Sequence, residues 1–136
     1  MYYEIKMTRM GNDEQGKQKK FNETYLIEAI TIFEAVTKFE KYIQELYPDH
    51  TTVAIKQTPF AEILDSDHDG IYYHAKTNIV TIDERTAKES KRPYHMLIKA
   101  PDFDNAKARY EKAVDDWTAD VSLGVIKETK IIEYIK

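Results

Sequence analysis

Hydrophobic and polar residues alternate through the first part of the chain and then change to a helical spacing. Tyr2–Arg9 and Lys20–Glu28 alternate, with a Gly- and Asn-containing turn at 11–16 between them, which predicts a β-hairpin. Thr31 followed by Glu34 has the spacing of a helix-initiating capping box. The residues of the predicted buried helix stripe are Ala35, Phe39, Tyr42, Ile43 and Leu46.

A third strand is predicted after this helix. Tyr47-Pro48 favours a helix end, because proline disfavours helical geometry in the residue before it. Thr52–Leu64 then reads as a strand. Pro59 lies inside it and indicates an edge position, a bulge or a break.

The second half of the chain repeats this order. Tyr72–Ile82 and Lys91–Lys99 predict another hairpin, Asp102 takes the N-cap position, and Leu123–Ile135 predicts the last strand. The predicted stripe of the second helix is Ala106, Tyr110, Ala113, Val114 and Trp117.

A constant offset relates the two halves. Shifting residues 17–64 by 71 gives identical residues at about a quarter of the positions, including Lys56/Lys127 and Thr58/Thr129. The opening strands match at an offset of 70, as in Tyr3/Tyr73. Shared Lys, Thr and Glu residues favour an internal duplication over two unrelated halves with similar patterning.

The sequence therefore predicts an α+β fold. We expect a single domain over 1–136, with repeat one at 1–66 and repeat two at 70–136, each a strand-strand-helix-strand unit. The two repeats would give six mainly antiparallel strands and two helices about a pseudo-twofold axis. Because the helix returns the chain over the sheet, strands two and three should run parallel, with strand one between them.

Several short segments are similar to a known family. They are the opening Tyr2–Lys6, the stretch Tyr25–Ala29 leading to Glu34-Ala35, the restart at Tyr72–Lys76, and Ile126–Thr129. They resemble a small domain-of-unknown-function family from Bacteroides-type gut bacteria and their phages, in which the first aromatic of each unit is often Trp instead of Tyr2 or Tyr72. The resemblance implies a phage or mobile-element accessory protein and transfers no catalytic residues.

Composition narrows the classes of function. The 136 residues carry a net charge of −4, which disfavours a duplex nucleic-acid binder. The absence of cysteine excludes disulfides and thiolate sites. No apolar run approaches the roughly 20 residues of a membrane span, and the first residues lack a signal-peptide pattern, so we expect a cytoplasmic protein without membrane contact.

Catalytic and metal-binding motifs give little support to an enzyme. No P-loop, nucleophile elbow or dinucleotide fingerprint occurs, and the four histidines lack metal-ligand spacing, so we expect no catalytic residues, metal or cofactor. The acidic turn Asp65–Gly70 matches the first positions of a calcium loop, but Lys76 stands where that loop needs a bidentate Glu. A polar linker between the repeats is the alternative, and the sequence leaves both open.

Two surfaces remain as candidates. The hairpin tips carry a basic set that could bind an anion or simply be solvated: Lys17, Lys19, Lys20, Lys88, Lys91 and Arg92. The third strands and opening strands carry a second set that could face a ligand or partner, or be the wet side of a sheet: Tyr3, Lys56, Thr58, Tyr73, Lys127 and Thr129.

The favoured function is a non-catalytic binding module that contacts a partner protein through a sheet face or edge, with homodimerisation as a further option. The alternative is a small-anion or nucleotide-binding protein that sequesters a signal. An enzyme with dispersed carboxylates is the least favoured of the three.

Overall fold

Eight strands and two helices follow one another along the chain in a computed structural model that describes all 136 residues. In chain order they are β1 (Tyr2–Asn12), β2 (Gln18–Glu28), α1 (Ile32–Leu46), β3 (Thr51–Gln57), β4 (Phe60–Leu64), β5 (Ile71–Ile82), β6 (Glu89–Ala100), α2 (Phe103–Val114), β7 (Asp120–Glu128) and β8 (Ile131–Ile135). The fold class is α+β, as the sequence predicts. Neither helix is long and apolar enough to cross a bilayer.

The elements form two compact units. Unit 1 contains residues 1–59 and 130–136, and unit 2 contains residues 60–129. The sheet of unit 1 has the order β3-β1-β2-β8, and the sheet of unit 2 has the order β4-β6-β5-β7. The β2–β8 and β4–β6 pairs are parallel and the others antiparallel. In each sheet the first hairpin strand lies between its two predicted neighbours, which confirms that part of the predicted topology.

The predicted number of six strands is wrong, because each long third strand is two strands. Thr58 lies between β3 and β4. Its N–H and its hydroxyl both donate to the Tyr2 carbonyl of β1, at 2.9 and 2.8 Å. Pro59 follows and has no N–H to donate. Thr129 makes the same two bonds to the Tyr72 carbonyl, at 2.9 and 2.7 Å, between β7 and β8.

After each break, the short strand pairs in a different sheet from the strand that precedes it. β4 pairs with β6 in unit 2, although it follows the elements of unit 1 in the chain. β8 pairs with β2 in unit 1, although it follows the elements of unit 2. The unit boundaries therefore differ from the predicted repeat boundaries at 1–66 and 70–136.

Helix α1 covers one face of the first sheet. The Thr31 hydroxyl accepts the Glu34 N–H at 3.1 Å, and the Glu34 carboxylate accepts the Ile30 N–H at 3.2 Å, so the predicted capping pair is present. The helix buries Ala35, Phe39 and Ile43, as the stripe predicts, and Tyr42 is partly buried, but Leu46 is 54% exposed, contrary to its predicted place in the buried stripe. The core of unit 1 consists of Ala35, Phe39 and Ile43 with Tyr3, Ile5, Met7, Tyr25, Ile27, Ala29 and Ile135.

Helix α2 does the same in unit 2. Asp102 accepts the Asn105 N–H at 2.8 Å, and the helix buries Ala106 and Tyr110. The core of unit 2 consists of these two with Tyr73, Ala75, Met96, Ile98 and Ala100. Trp117 lies beyond the end of α2, contrary to its predicted place on the helix stripe, and packs edge-on against Tyr94 at 5.1 Å.

Both sheets carry a bulge next to the central strand. Between β1 and β3 the register shifts after Lys6, so Val53 has no partner on β1. Between β5 and β7 it shifts after Lys76, so Gly124 has no partner on β5. A Cβ at Gly124 would lie 3.1 Å from the Lys76 carbonyl, which favours glycine there.

Candidate functional site

Three lysines line one cavity on the face of the first sheet opposite α1, which we call the far face. Tyr3, Ile5 and Met7 point toward α1, so the alternating residues of β1 point to the far face. Lys6 on β1, Lys20 on β2 and Lys130 just before β8 line a cavity of about 480 Å³ there. We call it the lysine cavity.

Neutral hydrogen-bonding groups also line this cavity, together with Met7 and Glu23. Thr8, Asn22 and Thr24 line it together with the lysines. Cross-strand pairing sets their positions, since Lys6 pairs with Thr24 and Thr8 with Asn22. The bulged residue Val53 also lines it and is 62% exposed. The arrangement offers ammonium, hydroxyl and amide donors to a single ligand.

Glu23 also lines the lysine cavity, but its carboxylate is already hydrogen-bonded to two other side chains. Glu23 receives the Arg9 Nε–H at 2.7 Å and the Tyr25 hydroxyl at 3.3 Å. Arg9 lies between two rings, 4.6 Å from Phe21 and 4.2 Å from Tyr47. Burial, with the Glu23 charge second, raises the pKa of Tyr25, so its hydroxyl stays protonated. The cluster closes one end of the α1 core.

The predicted basic patch is divided between the two units. Lys17, Lys19 and Lys20 are exposed on the first hairpin, and Lys88, Lys91 and Arg92 are exposed on the second. None of the six forms an ion pair. Lys20 is the member of the patch that lines the lysine cavity.

A second concavity lies at the tip of the first hairpin. It has a volume of about 520 Å³ and is lined by Asp13, Glu14, Lys19 and Phe21, among others. The Asp13 carboxylate accepts the N–H groups of Gln15 and Lys17 at 2.9 and 2.8 Å. These bonds form the turn, so Asp13 has a structural role there.

The predicted partner face is not assembled as expected. Tyr3 and Tyr73 are 3% and 5% exposed and lie in the two cores, so they cannot contribute to a surface. The Thr58 and Thr129 hydroxyls are used by the strand breaks. Lys56 and Lys127 remain exposed, and Lys56 lies 3.9 Å from Glu4.

The acidic turn Asp65–Gly70 does not gather ligands for a cation. The Asp65 carboxylate accepts the Tyr72 hydroxyl at 3.3 Å, and its carbonyl accepts from Arg109 at 3.0 Å. A Cβ at Gly70 would lie 2.8 Å from the Ala100 carbonyl, so glycine is needed for this close approach. No group of three or more His, Asp or Glu side chains in the structure could hold a metal ion.

A histidine pair lies on the face of the second sheet opposite α2. His74 Nε2 is 2.8 Å from His95 Nδ1, and the His74 ring lies 4.9 Å from that of Phe60. Burial, followed by the nearby His95, Lys127 and Lys76, lowers the pKa of His74 to about 4. Burial and Lys76 also lower the pKa of His95. Both rings are therefore neutral at pH 7 and can share one hydrogen bond.

A third histidine joins α1 to β3. His50 Nε2 lies 2.6 Å from one Glu40 oxygen, and the Thr52 hydroxyl donates to the other at 2.5 Å. His50 Nδ1 lies 2.8 Å from the Tyr47 carbonyl. The carboxylate thus holds both residues in place, and the threonine is not aligned with the imidazole as a nucleophile would be.

An exposed apolar cluster lies at the β2–α1 connection, and we call it the apolar corner. Phe33 is 82% exposed, Ile30 77% and Ile32 41%. Met1, at 55% exposure, is held beside them because its carbonyl accepts the Ala29 N–H at 2.9 Å. Exposed hydrophobic side chains are usually scattered singly over a protein surface, so a group of them at one place is unusual.

Sequence reasoning missed Lys6, Lys130 and the apolar corner. Alternation along β1 could have placed Lys6 with Thr8 on one face. No local signal could have brought Lys130 to them, since it arrives through the parallel pairing of β8 with β2. The apolar corner was visible only as ordinary hydrophobic residues before a helix.

Comparison with known proteins gives one match. A family model described as Domain of unknown function (DUF4494) matches residues 1–136. No curated protein and no solved structure matches the chain.

Proposed function

The chain belongs over its whole length to the DUF4494 family of domains of unknown function, and from that premise we propose that it is a non-catalytic binding module that contacts a partner protein through the apolar corner. The single observation that carries the proposal is the exposure of Phe33 and Ile30, at 82% and 77%. Such side chains gain free energy when a partner covers them. In this proposal the protein is a cytoplasmic phage or mobile-element accessory protein, as the resemblance of its short motifs implies.

The fold itself does not require an apolar residue at the position of Phe33, although Phe103 of α2 is apolar at the position of Ile32. The helix in unit 2 begins in the same way, with Asp102 in place of Thr31 as the N-cap. The second residue of that helix is Asp104, where α1 has Phe33. A charged residue therefore satisfies the same helix start, which favours a binding role for Phe33 over a folding role.

We also propose that the two halves arose by duplication. Support comes from features repeated at the offset of the sequence match: the bulges at Val53 and Gly124, and the paired hydroxyl and N–H bonds of Thr58 and Thr129. The short strands add a further repeated feature, since the last strand of each sequence repeat joins the sheet formed by the other repeat. In this proposal the partner-binding corner arose in one copy after duplication.

Site-specific photo-crosslinking in the cells that naturally carry the gene tests the binding proposal. A photoreactive phenylalanine analogue replaces Phe33 in one variant and Ile82 in the control. Ile82 is 63% exposed at the tip of the second hairpin, so the two sites are similarly accessible. We expect one discrete adduct from position 33, lost when Ile30→Asp is added, and no such adduct from position 82.

Two results would contradict the proposal. Equal adduct patterns from positions 33 and 82 would show nonspecific capture. An adduct with twice the mass of the chain, confirmed as a dimer by light scattering, would mean that a second copy covers the corner.

Thermal unfolding of Phe33→Asp should match the unchanged protein, since this side chain contributes to no core.

A further inference from the structure

The lysine cavity concentrates positive charge in a chain that is acidic overall. Its three lysines contribute to a protein with a net charge of −4. Lys6, Lys20 and Lys130 form no ion pair within the chain. Three like charges around one cavity repel one another, and an anion bound among them would relieve that repulsion.

The one carboxylate residue in the lining, Glu23, and the nearby Glu4 are each approached by a cation other than the three lysines. Glu23 is paired with Arg9 at 2.7 Å on the α1 side of the sheet. Glu4 lies two positions from Lys6 on the same strand face, and Lys56 approaches it at 3.9 Å. The three lysines therefore remain available to a ligand.

The spacing of the lysines suggests the shape of the ligand. They come from β1, from β2 and from the start of β8, which are consecutive in the sheet. Neighbouring strands are about 4.8 Å apart, so the three strands span about 10 Å across the sheet, and Lys20 lies about 13 Å along β2 from Thr24, the partner of Lys6. A single phosphate carries only about −1.5 to −2 charges at pH 7 and is short for this span. Linked phosphates match both the charge and the length.

The lining also indicates what is not recognised. No aromatic side chain lines the cavity, so it offers no ring on which a nucleobase could stack. Thr8, Asn22 and Thr24 offer hydroxyl and amide groups to phosphate oxygens. The volume of about 480 Å³ lies in the range of small-molecule sites.

We propose that the lysine cavity binds a small molecule that carries two or more linked phosphate groups, through the three ammonium groups and without reading a base. Charge-assisted hydrogen bonds to the phosphate oxygens supply the affinity. The site lies wholly in unit 1 and does not depend on the apolar corner.

Titration calorimetry with inorganic pyrophosphate on the full-length chain tests this. We expect one pyrophosphate per chain, and a loss of about tenfold in affinity for each of Lys6→Gln, Lys20→Gln and Lys130→Gln. Lys91→Gln is the matched control: Lys91, like Lys20, is an exposed lysine on the second strand of a hairpin, and the charge change is the same. It should change the affinity by less than about twofold.

One comparator ligand, one NMR spectrum and one further variant identify the source of binding. A nucleoside diphosphate should bind about as tightly as pyrophosphate, since the base is not read. Pyrophosphate should shift the NMR amide signals of Thr8, Asn22 and Thr24. Phe33→Asp should leave pyrophosphate binding unchanged, so that failure here and failure of the partner proposal can be distinguished.

Three results would overturn the proposal. One is the absence of pyrophosphate binding at low salt. The second is an equal loss in Lys91→Gln and Lys20→Gln, which would indicate diffuse charge attraction. The third is an acidic peptide that binds more tightly than pyrophosphate with the same lysine dependence, which would assign the cavity to a protein segment.

Discussion

The buried hydroxyl pair of unit 2 gives a prediction that can be worked out in numbers. The Tyr110 hydroxyl donates to Thr77 Oγ1 at 2.5 Å, and Thr77 Oγ1 donates to the Ser122 carbonyl at 3.1 Å. Thr77 is 0% and Tyr110 4% exposed. Water cannot replace either partner without opening the core, so the cost of each substitution depends on whether it leaves a buried polar group unpaired.

The two single substitutions should differ. Thr77→Val leaves the Tyr110 hydroxyl without an acceptor and the Ser122 carbonyl without this donor, which should cost about 2–3 kcal/mol. Tyr110→Phe removes one hydrogen bond while Thr77 keeps its bond to Ser122, which should cost about 1 kcal/mol. The double variant has no unpaired tyrosine hydroxyl, so it should lower the free energy of unfolding no more than Thr77→Val alone. The coupling free energy should be about 1 kcal/mol.

Unit 1 shows that an apolar pair suits this position. Met7 follows the register shift between β1 and β3, and Thr77 follows the register shift between β5 and β7. Phe39 occupies the place on α1 that Tyr110 has on α2. Met7 and Phe39 are 1% and 0% exposed. The same backbone framework therefore accepts two apolar side chains.

Urea unfolding of the full-length chain measures these free energies. Trp117 is the single tryptophan and packs on Tyr94 in unit 2, so its fluorescence reports on that unit. The control is Thr81→Val, whose hydroxyl lies 2.7 Å from Ser90 on an exposed hairpin and should change the free energy of unfolding by less than about 0.5 kcal/mol. Strictly additive single and double variants would refute the reasoning.

Two further predictions concern charged and titratable side chains. Arg9→Lys keeps the charge but loses the planar group between Phe21 and Tyr47, and should lower the free energy of unfolding by about 1 kcal/mol in urea titrations; an unchanged midpoint would contradict it. The pKa of His74 is about 4 in the folded protein and 6.5 in the unfolded chain. Between these pH values the unfolded state binds more protons than the folded state, so the free energy of unfolding should fall as the pH drops from about 6.5 to about 4. His74→Gln should flatten this part of the stability–pH curve, and an unaltered slope would show that other groups cause it.

The local elements could be predicted because their signals are local. Thr31 and Glu34 begin α1 through bonds within one turn, and the spacing of Ala35, Phe39 and Ile43 follows from the helical period. The hairpins, the end of α1 near Pro48 and the break at Pro59 were visible for the same reason, whereas the stripe extended α2 too far, to Trp117. The sequence placed Tyr3 on a possible partner-binding face, whereas Tyr3 lies in the core beneath α1. Alternation separates the two faces of a strand but does not say which one a helix will cover.

The sheet that each short strand joins could not be predicted, and the lysine cavity depends on it. Nothing within Phe60–Leu64 or Ile131–Ile135 specifies a distant neighbour, since any strand offers the same backbone groups to a sheet edge. Only the assembled chain brings β8 beside β2, and so Lys130 into the same cavity as Lys20. The sequence alone determines the local elements, because a capping pair, a helical period and a turn act within a few residues, whereas the sheet that each short strand joins is set by the tertiary structure, because that pairing links residues far apart in the chain.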